Sequence, residues 1–399
     1  MGHDHTRPQR SSRVRCTRRH VLGLAAASAV GSLVTYHRGA ASAAAPAAPW
    51  AEELSEAIST LLPQTTIPGA IVGVWQKGEP AYVQAFGLQE MDGGEPMTTD
   101  LFMRIGSNTK SFTTTAILQL VDQGLLSLDD PVGGYVSGVP NGDVLTIRQL
   151  GMMRSGLSDY SEITVPQWPD DPQRQWTAEE LLALAFAQPP RFAPGARFEY
   201  CNTNTVLLGV VVEQVSGQPI RDYIREHILE PAGLTQTSFP IGAEFPEPHP
   251  HGYWRTPEGD IVDTAGWNTS WGDAAGQMVS TLDDLRVWAR DLATGALLTP
   301  ATQWEREQFL PAPDEGEGVV YGFGMTDNSG WRGHDGNVLG YVAYPFYLPD
   351  QEMTLVVLLN SAVNILESVD LMQAITRIIS PDNVWPGPPT APGVATPGA

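Results

Sequence analysis

The sequence predicts an α/β (α+β) chain in which one sheet takes strands from both ends of the globular region and a helical domain is inserted between them. Three observations predict it. Short apolar runs bounded by turn residues occur at 71–86 and again at 321–360. The stretch between them reads as helical windows separated by Pro- and Gly-rich loops. No internal repeat offers a different plan, and strands at both ends bury their apolar faces most simply in one shared sheet.

The first 43 residues stand apart. Residues 1–20 are polar and basic, with Arg18-Arg19 near their end, and Val21 to Val34 is an uncharged run rich in Ala, Gly, Leu and Val. That run is shorter than the roughly 20 residues a bilayer span needs, and Ala41-Ser42-Ala43 follows in the small-x-small form that signal peptidase reads. The expectation is a twin-arginine-type export signal over 1–43, which places the mature chain in the secreted or periplasmic and cell-wall space with no stable membrane span after cleavage. A disordered basic tail is the plainer reading, but it leaves the ordered coincidence of three features unexplained.

Residues 44–49 read as an Ala/Pro linker. Residues 50–62 read as a helix ended by Pro63, and 71–75 and 81–86 as strands joined by Lys77-Gly78-Glu79-Pro80. After an apolar lead-in at 102–105, a helix runs over 107–122 and is closed by Gly124. Further helices are expected at 177–187, 205–215 and 220–228. Another at 281–293 begins at Ser280 and Thr281, with Asp283 and Asp284 in its first turn. Strands return at 321–325, 330–334, 340–347 and 353–360, with Pro349-Asp350 turning the last pair, and a helix at 366–379 closes the fold. The sheet domain is therefore expected at 50–106 and 266–380, and the helical domain at 107–265. Residues 381–399 hold six prolines in nineteen and are expected to be disordered.

The formal net charge is −22, and the first 43 residues carry +6 of their own, leaving −28 for the rest. So acidic a surface repels nucleic acid and anionic lipid, so neither is an expected partner. Only Cys16 and Cys201 are present, too few after cleavage for an internal disulfide, so cysteine content says nothing of compartment. Nothing in the sequence specifies an oligomeric state.

Ser107-Asn108-Thr109-Lys110 has the S-x-x-K spacing, which sets both side chains on one helix face. Ser107 falls at the helix start, where unpaired N–H groups favour developing negative charge. A buried lysine sheds its proton more easily and can act as base. Of 23 basic residues only Lys77 and Lys110 are lysines, and arginine cannot take that role. The bland alternative is a capping serine beside a solvated lysine. No G-x-S-x-G elbow occurs, which disfavours the α/β-hydrolase arrangement.

Two further elements follow. In Tyr200-Cys201-Asn202 the phenol is placed to share a proton with Ser107 and Lys110, and the amide of Asn202 to hold a substrate carbonyl; a buried tyrosine with a capping Asn is the alternative. Cys201 lacks a basic neighbour that would make it a nucleophile. In Gly333-His334-Asp335-Gly336 the glycines permit close backbone approach by a substrate. The N–H of Asn337 is a candidate to join that of Ser107 in an oxyanion hole; a strand histidine in a tight hairpin is the alternative. His249-Pro250-His251 lacks a third partner for metal and reads as a solvent loop, and Ser158-Asp159 as a turn.

Taken in order, Ser107/Lys110, Tyr200/Asn202 and His334/Gly336 resemble the S-x-x-K, Y-x-N and [KH]-x-G marks of the β-lactamase-related serine hydrolases. Ile67-Pro68-Gly69-Ala70, Arg104-Ile105-Gly106-Ser107, Ser155-Gly156-Leu157, Ala275 to Thr281, Tyr321-Gly322-Phe323-Gly324 and Gly340-Tyr341 are similar to the family as well, so the resemblance covers about residues 50–380. It implies a β-lactamase/transpeptidase-like fold, with an antiparallel sheet flanked by helices plus an all-α domain and the site between them. It also implies acyl-enzyme chemistry on Ser107 without metal or other cofactor, with Lys110 and Tyr200 as the proton network and Asn202, His334, Gly336 and Asn337 binding substrate.

Two departures, at His334 and Asp335, qualify the substrate, and a third, at Cys201, falls on a side chain expected to be non-catalytic. His334 stands where β-lactamases usually carry Lys, whereas carboxypeptidase and esterase members more often carry His. Cys201 replaces the usual Ser. Asp335 replaces a Thr that helps bind a substrate carboxylate, and a carboxylate there would repel it. Either Asp335 points away, Arg332 compensates, or the substrate has no carboxylate at that place. The leading expectation is a D-alanyl-D-alanine carboxypeptidase-like peptidase; esters or D-amino-acid amides come next, then β-lactams. A non-catalytic binding protein on the same scaffold is the rival of another class.

Overall fold

The computed structural model describes residues 48–313, 315–316 and 318–387, all within one unit spanning residues 45–399. The expected export signal, most of the linker and residues 388–399 lie outside the described residues.

Helix α1 (Ala51–Leu61) gives way to a 3₁₀ turn at Leu62–Gln64 that holds Pro63. Strands β1 (Gly69–Gln76) and β2 (Glu79–Gly87) form a hairpin. Helices α2 (Thr109–Asp122) and α3 (Asn202–Ser216) belong to the helical stretch, and α4 (Leu282–Thr294) leads back to the sheet. The other strands of the main sheet are β3 (Leu310–Pro311), β4 (Val320–Tyr321), β5 (Thr326–Asn328), β6 (Trp331–Gly333), β7 (Gly336–Val338), β8 (Tyr341–Leu348) and β9 (Met353–Leu359), followed by α5 (Ile365–Ile379).

Among the described residues these nine strands make one sheet in the order β2-β1-β9-β8-β6-β5-β4-β3, with β7 paired to the start of β8. Every pairing in it is antiparallel. The register sets Val72 of β1 opposite Val357 of β9, which in turn faces Tyr344 of β8. The period of two sorts the side chains into two cores. Ala70, Val72 and Val74, with Val342, Tyr344, Phe346, Leu355 and Val357, pack under α1 and α5. Ile71, Trp75, Ala343, Val356 and Leu358 face the other way, into a core shared with α2, α3 and α4. Burial on both faces explains why β8 and β9 read as unbroken apolar runs rather than alternating ones. The fold class is the one expected: a β-lactamase/transpeptidase-like antiparallel sheet with helices.

Several details differ from expectation. The helix expected from Ser107 opens with a 3₁₀ turn, Gly106–Asn108, before α2 begins at Thr109. α3 begins at Asn202 rather than at 205, so Asn202 is its first residue. Thr281 precedes α4 without a side-chain cap; its hydroxyl donates instead to Gln236. The strand expected over 321–325 breaks into β4 and β5, because Gly322 N–H bonds Met325 O across a tight loop whose Gly324 has φ +70°.

The largest correction concerns the tail. Residues 381–387 are packed, not disordered. Trp385 is 6% exposed, its ring centroid lies 4.7 Å from that of Phe346, and Trp331 Nε1 donates to Asn383 O at 2.8 Å. A proline count over nineteen residues hides the one tryptophan that anchors the first seven.

Candidate active site

Ser107 occupies the middle of the Gly106–Asn108 turn, and three residues on in a 3₁₀ turn is directly above. The turn is held at both sides. Asn108 Nδ2 donates to Ile105 O and to Ala343 O of β8, at 3.0 and 3.2 Å. Thr109 Oγ1 donates to Gly106 O at 2.8 Å and accepts from Met278 N at 3.1 Å. Arg104, just upstream, is buried and donates to the carbonyls of Thr264, Ala265 and Trp267. The lead-in to Ser107 is thus fixed before substrate arrives.

Lys110 is wholly buried, and its Nζ lies 2.9 Å from Ser107 Oγ, 2.7 Å from Asn202 Oδ1 and 2.8 Å from Ala275 O. Burial pushes the ammonium down to about 7, against the opposing charges of Asp159, Asp335, Glu315 and Cys201. A neutral amine fits these partners without loss: two N–H groups serve the two carbonyl oxygens, and the lone pair faces the hydroxyl of Ser107.

Tyr200 completes the group. Its phenol is hydrogen-bonded to Ser107 and is held well above its ordinary range, chiefly by burial. Its ring lies 4.9 Å from Lys110 Nζ. Ser107 therefore bridges the amine and the phenol; Tyr200 keeps its proton near neutrality, which leaves Lys110 as the group able to accept one.

The residues expected to bind substrate fare differently. Asn202 gives its oxygen to Lys110, and its Nδ2 donates to Asp159 Oδ2 at 3.0 Å and to Ser161 Oγ at 3.3 Å. Its amide thus positions Lys110, and Asn202 also lines the cavity beside Ser107. His334 is 2% exposed and is not on the cavity wall. Its Nδ1 lies 2.7 Å from Asp335 O and its Nε2 3.0 Å from Tyr321 Oη. The carbonyl can only accept, so Nδ1 carries the proton and Nε2 accepts from the phenol. Burial pushes the imidazole down to about 3, and it is neutral. Gly336 makes room for the protein itself: a Cβ there would stand 1.9 Å from Ile105 O. Asn337 does line the cavity. Its backbone nitrogen lies only 2.9 Å from where a Cβ on Gly106 would be, which brings the amide of β7 against the turn that carries Ser107.

The cavity at this point has a volume of about 310 Å³. Val165, Trp168 and Trp271 line it with apolar groups, and Asp335 and Glu315 line it with carboxylates. Asp335 faces the cavity rather than pointing away. Arg332 does not compensate it, because its guanidinium is held by Asp327 and Glu307, each at 3.3 Å. Burial raises the Asp335 carboxyl above the usual range.

Asp159 was expected only in a turn. Its Oδ2 accepts from Asn202 N and Nδ2, at 2.8 and 3.0 Å, and its Oδ1 from Ser161 N at 2.8 Å. Nothing in the spacing of residues 159 and 202 signals this link; only the fold makes it. Trp168, Trp271 and Glu315 likewise carry no motif. Cys201 is buried, its thiol is pushed up, and it lies 3.5 Å from Leu157 O, a packing role. His251 pairs with Asp263 at 2.5 Å rather than standing alone in solvent. Among the described residues no group of three His, Cys, Asp or Glu could hold a metal ion, and no helix is long and apolar enough to cross a membrane.

A family model described as Beta-lactamase matches residues 48–375. A D-aminopeptidase of Cereibacter sphaeroides is 28% identical over 302 residues, which are 73% of this chain and 57% of that protein. The protein flp of Staphylococcus aureus is 26% identical over 317 residues, 77% of this chain and 63% of its own length. The chain thus spans about three fifths of the curated relatives it matches. Among solved structures, a D-stereospecific amidohydrolase from Streptomyces sp. is similar with a TM-score of 0.73 and 28% identity, covering 83% of this chain and 98% of that one. A D-amino acid amidase from Ochrobactrum anthropi SV3, complexed with L-phenylalanine amide, gives 0.73 and 27%, covering 82% and 97%.

Proposed function

The chain belongs to the Beta-lactamase family of serine hydrolases, and on that premise we propose that it hydrolyses amides or peptides of D-amino acids whose α-amino group is free. The observation that carries this reading is the acidic wall: Asp335 faces the cavity while Arg332 is engaged elsewhere. A carboxylate facing the substrate repels a C-terminal carboxylate and attracts an ammonium. This favours the amidase alternative over the carboxypeptidase. The D-aminopeptidase and D-amino acid amidase relatives support it.

The chemistry runs in two steps. The neutral amine of Lys110 takes the proton of Ser107 as Oγ bonds to the acyl carbon, and the amides of Ser107 and Asn337 hold the oxyanion. The proton passes from Lys110, by way of Tyr200, to the departing amine as the C–N bond breaks. Water then attacks the acyl ester, gives its proton to Lys110, and Ser107 leaves with a proton restored. The sum is an amide and water giving an acid and an amine. Asn202 and Asp159 hold Lys110 in place; His334 supports the wall through Tyr321.

The test is a panel of D-alanine amide, its N-acetyl form, a D-Ala-D-Ala peptide and p-nitrophenyl acetate, with Ser107→Ala as blank. The free amine should be preferred at least tenfold over the acetylated amide, and Ser107→Ala should turn over nothing. Faster hydrolysis of the D-Ala-D-Ala peptide or of the acetylated amide would reject the reading. We further propose export through residues 1–43. Replacing Arg18 and Arg19 by Lys should hold the chain inside the cell, and unchanged export would count against a twin-arginine signal.

A further inference from the structure

The chain carries 45 acidic residues against 23 basic ones, yet one cavity, of about 230 Å³, is lined by three cations and a single carboxylate. Lys77 comes from the β1–β2 turn, Arg286 and Arg290 from α4, Tyr347 from β8, Thr354 from β9, and Glu352 from the turn between those two strands. The cavity shares no lining residue with the catalytic one. From Val342, which pairs with Asn337, to Tyr347 is five residues of β8, about 17 Å along the strand.

The cations are poorly compensated. Among the described residues Arg286 makes no ion pair; its guanidinium lies 5.5 Å from the ring centroid of buried Trp75, which holds it in place. Its Nε is buried, so the terminal nitrogens are the ones a ligand meets. Arg290 is exposed, and Asp291 Oδ1 takes its Nε and Nη2 at 3.1 and 3.0 Å, which leaves Nη1 unengaged. Lys77 N–H donates to Glu352 O at 2.8 Å, but the two side chains form no ion pair. Lys77 has φ +52° and Gly78 φ +81°, a turn of the kind that favours Asn-Gly, so the hairpin alone does not call for a lysine. The hydroxyls of Tyr347 and Thr354 likewise have no hydrogen-bond partner among the described residues.

Donors thus converge from four elements. A carboxylate offers two oxygens in one plane. A phosphate group offers oxygens at the corners of a tetrahedron, which suits donors arriving from several directions, and a guanidinium fork matches two of them. We infer that this cavity binds a phosphate-type oxyanion, as free phosphate or as a phosphodiester of a polymer, at a place apart from the catalytic cavity. Arg286 and Lys77 supply the charge, Arg290 Nη1 adds an N–H, and Tyr347 and Thr354 donate hydroxyl protons. Glu352 opposes binding and limits its strength. Held here, a phosphodiester polymer would keep the enzyme on a surface that its net charge otherwise repels.

The experiment titrates the full chain with inorganic phosphate at pH 7.5 and fixed ionic strength, reads the heat of binding, and uses acetate and chloride as controls. Phosphate should saturate one site and bind at least tenfold more tightly than acetate. Arg286→Gln should weaken it at least tenfold and Lys77→Gln at least threefold, whereas Glu352→Gln should tighten it at least threefold. Opposite signs separate a charge effect from damaged packing, and labelling of Ser107 by a fluorophosphonate confirms that each variant is folded. Diethyl phosphate, a monoanionic diester, is the second probe. Binding within tenfold of inorganic phosphate supports a polymer diester as the source, and tight phosphate without diester binding supports free phosphate. No saturable phosphate binding, equal binding of phosphate and acetate, or binding unchanged in both Arg286→Gln and Lys77→Gln overturns the assignment.

Discussion

The protonation of Lys110 should govern the pH profile. An ordinary lysine near 10.5 is free base in about one molecule in three thousand at pH 7, whereas one brought down to about 7 is free base in half. Burial therefore supplies roughly three orders of magnitude in the population of the reactive form. The assay should use p-nitrophenyl acetate, which has no titrating amine, from pH 5 to 9.5, with Ser107→Ala subtracted at each point. kcat/KM reports the free enzyme. It should rise about tenfold per pH unit below 7, bend near 7 and stay level above 8; at pH 5 only about 1% of the plateau should remain. Tyr200 stays protonated across this range, since burial holds its phenol well above the ordinary value. His334, pushed down to about 3, does not titrate in it either. Lys110→Arg keeps the positive charge but cannot give it up, and should lose at least a thousandfold. A rise continuing through pH 9.5, or a flat profile from 5 to 9, would refute Lys110 as the base.

Three other outcomes follow from single contacts. Asp159→Ala frees the amide of Asn202 and removes the largest charge that raises Lys110; kcat should fall about tenfold and the bend should move to lower pH, while an unmoved bend with full kcat would deny the positioning role. His334 accepts a proton only in the unfolded state between pH 6.5 and about 3. The unfolded chain binds more protons there, so stability should fall as pH drops below 6.5, by up to about 1.4 kcal/mol per unit. His334→Gln should flatten the fall in melting temperature between pH 7.5 and 4.5, and an equal fall would contradict this. Trp385→Ala empties the pocket against Phe346 and Tyr344 and should cost about 3–5 kcal/mol in denaturant unfolding; a loss under 1 kcal/mol would mean that the tail is not anchored there.

What the sequence made legible is local and periodic. The alternation and turn residues of 71–86 and the apolar runs of 340–360 fixed the hairpin and the central strands, because two-faced burial leaves few other readings. Ser107 and Lys110 were legible because a single helical turn relates them. What depended on long-range approach was not. Asp159 reaches Asn202 across 43 positions, and only packing between the loop and the start of α3 brings them together. Gly336 was read as room for substrate and proves to be room for Ile105 O, since a glycine in sequence says that something comes close but not what. His334 was read as facing substrate because its motif position was visible and its neighbour Tyr321 was not. Of the three alternatives at Asp335, the ion pairs of Arg332 count against one and the cavity wall against another.

If the proposed substrate seats its ammonium there, the same acidic wall couples binding to catalysis. Asp335 and Glu315 both raise Lys110, opposing burial. An ammonium seated against Asp335 offsets that charge and adds its own, and both effects disfavour a proton on Lys110. On the proposed reading a cationic substrate would lower the proton affinity of Lys110, and the free amine would be populated further in the complex than in the resting enzyme. The consequence separates two kinetic parameters. For D-alanine amide the bend in kcat, which reports the complex, should lie below the bend near 7 that p-nitrophenyl acetate shows in kcat/KM; for p-nitrophenyl acetate the two bends should coincide. Asp335→Asn should close the gap, because it removes the charge through which substrate and base communicate. If the kcat bend for D-alanine amide falls at or above that of the neutral ester, the substrate's ammonium does not sit near Asp335, and the selection of a free α-amine must come from elsewhere in the cavity.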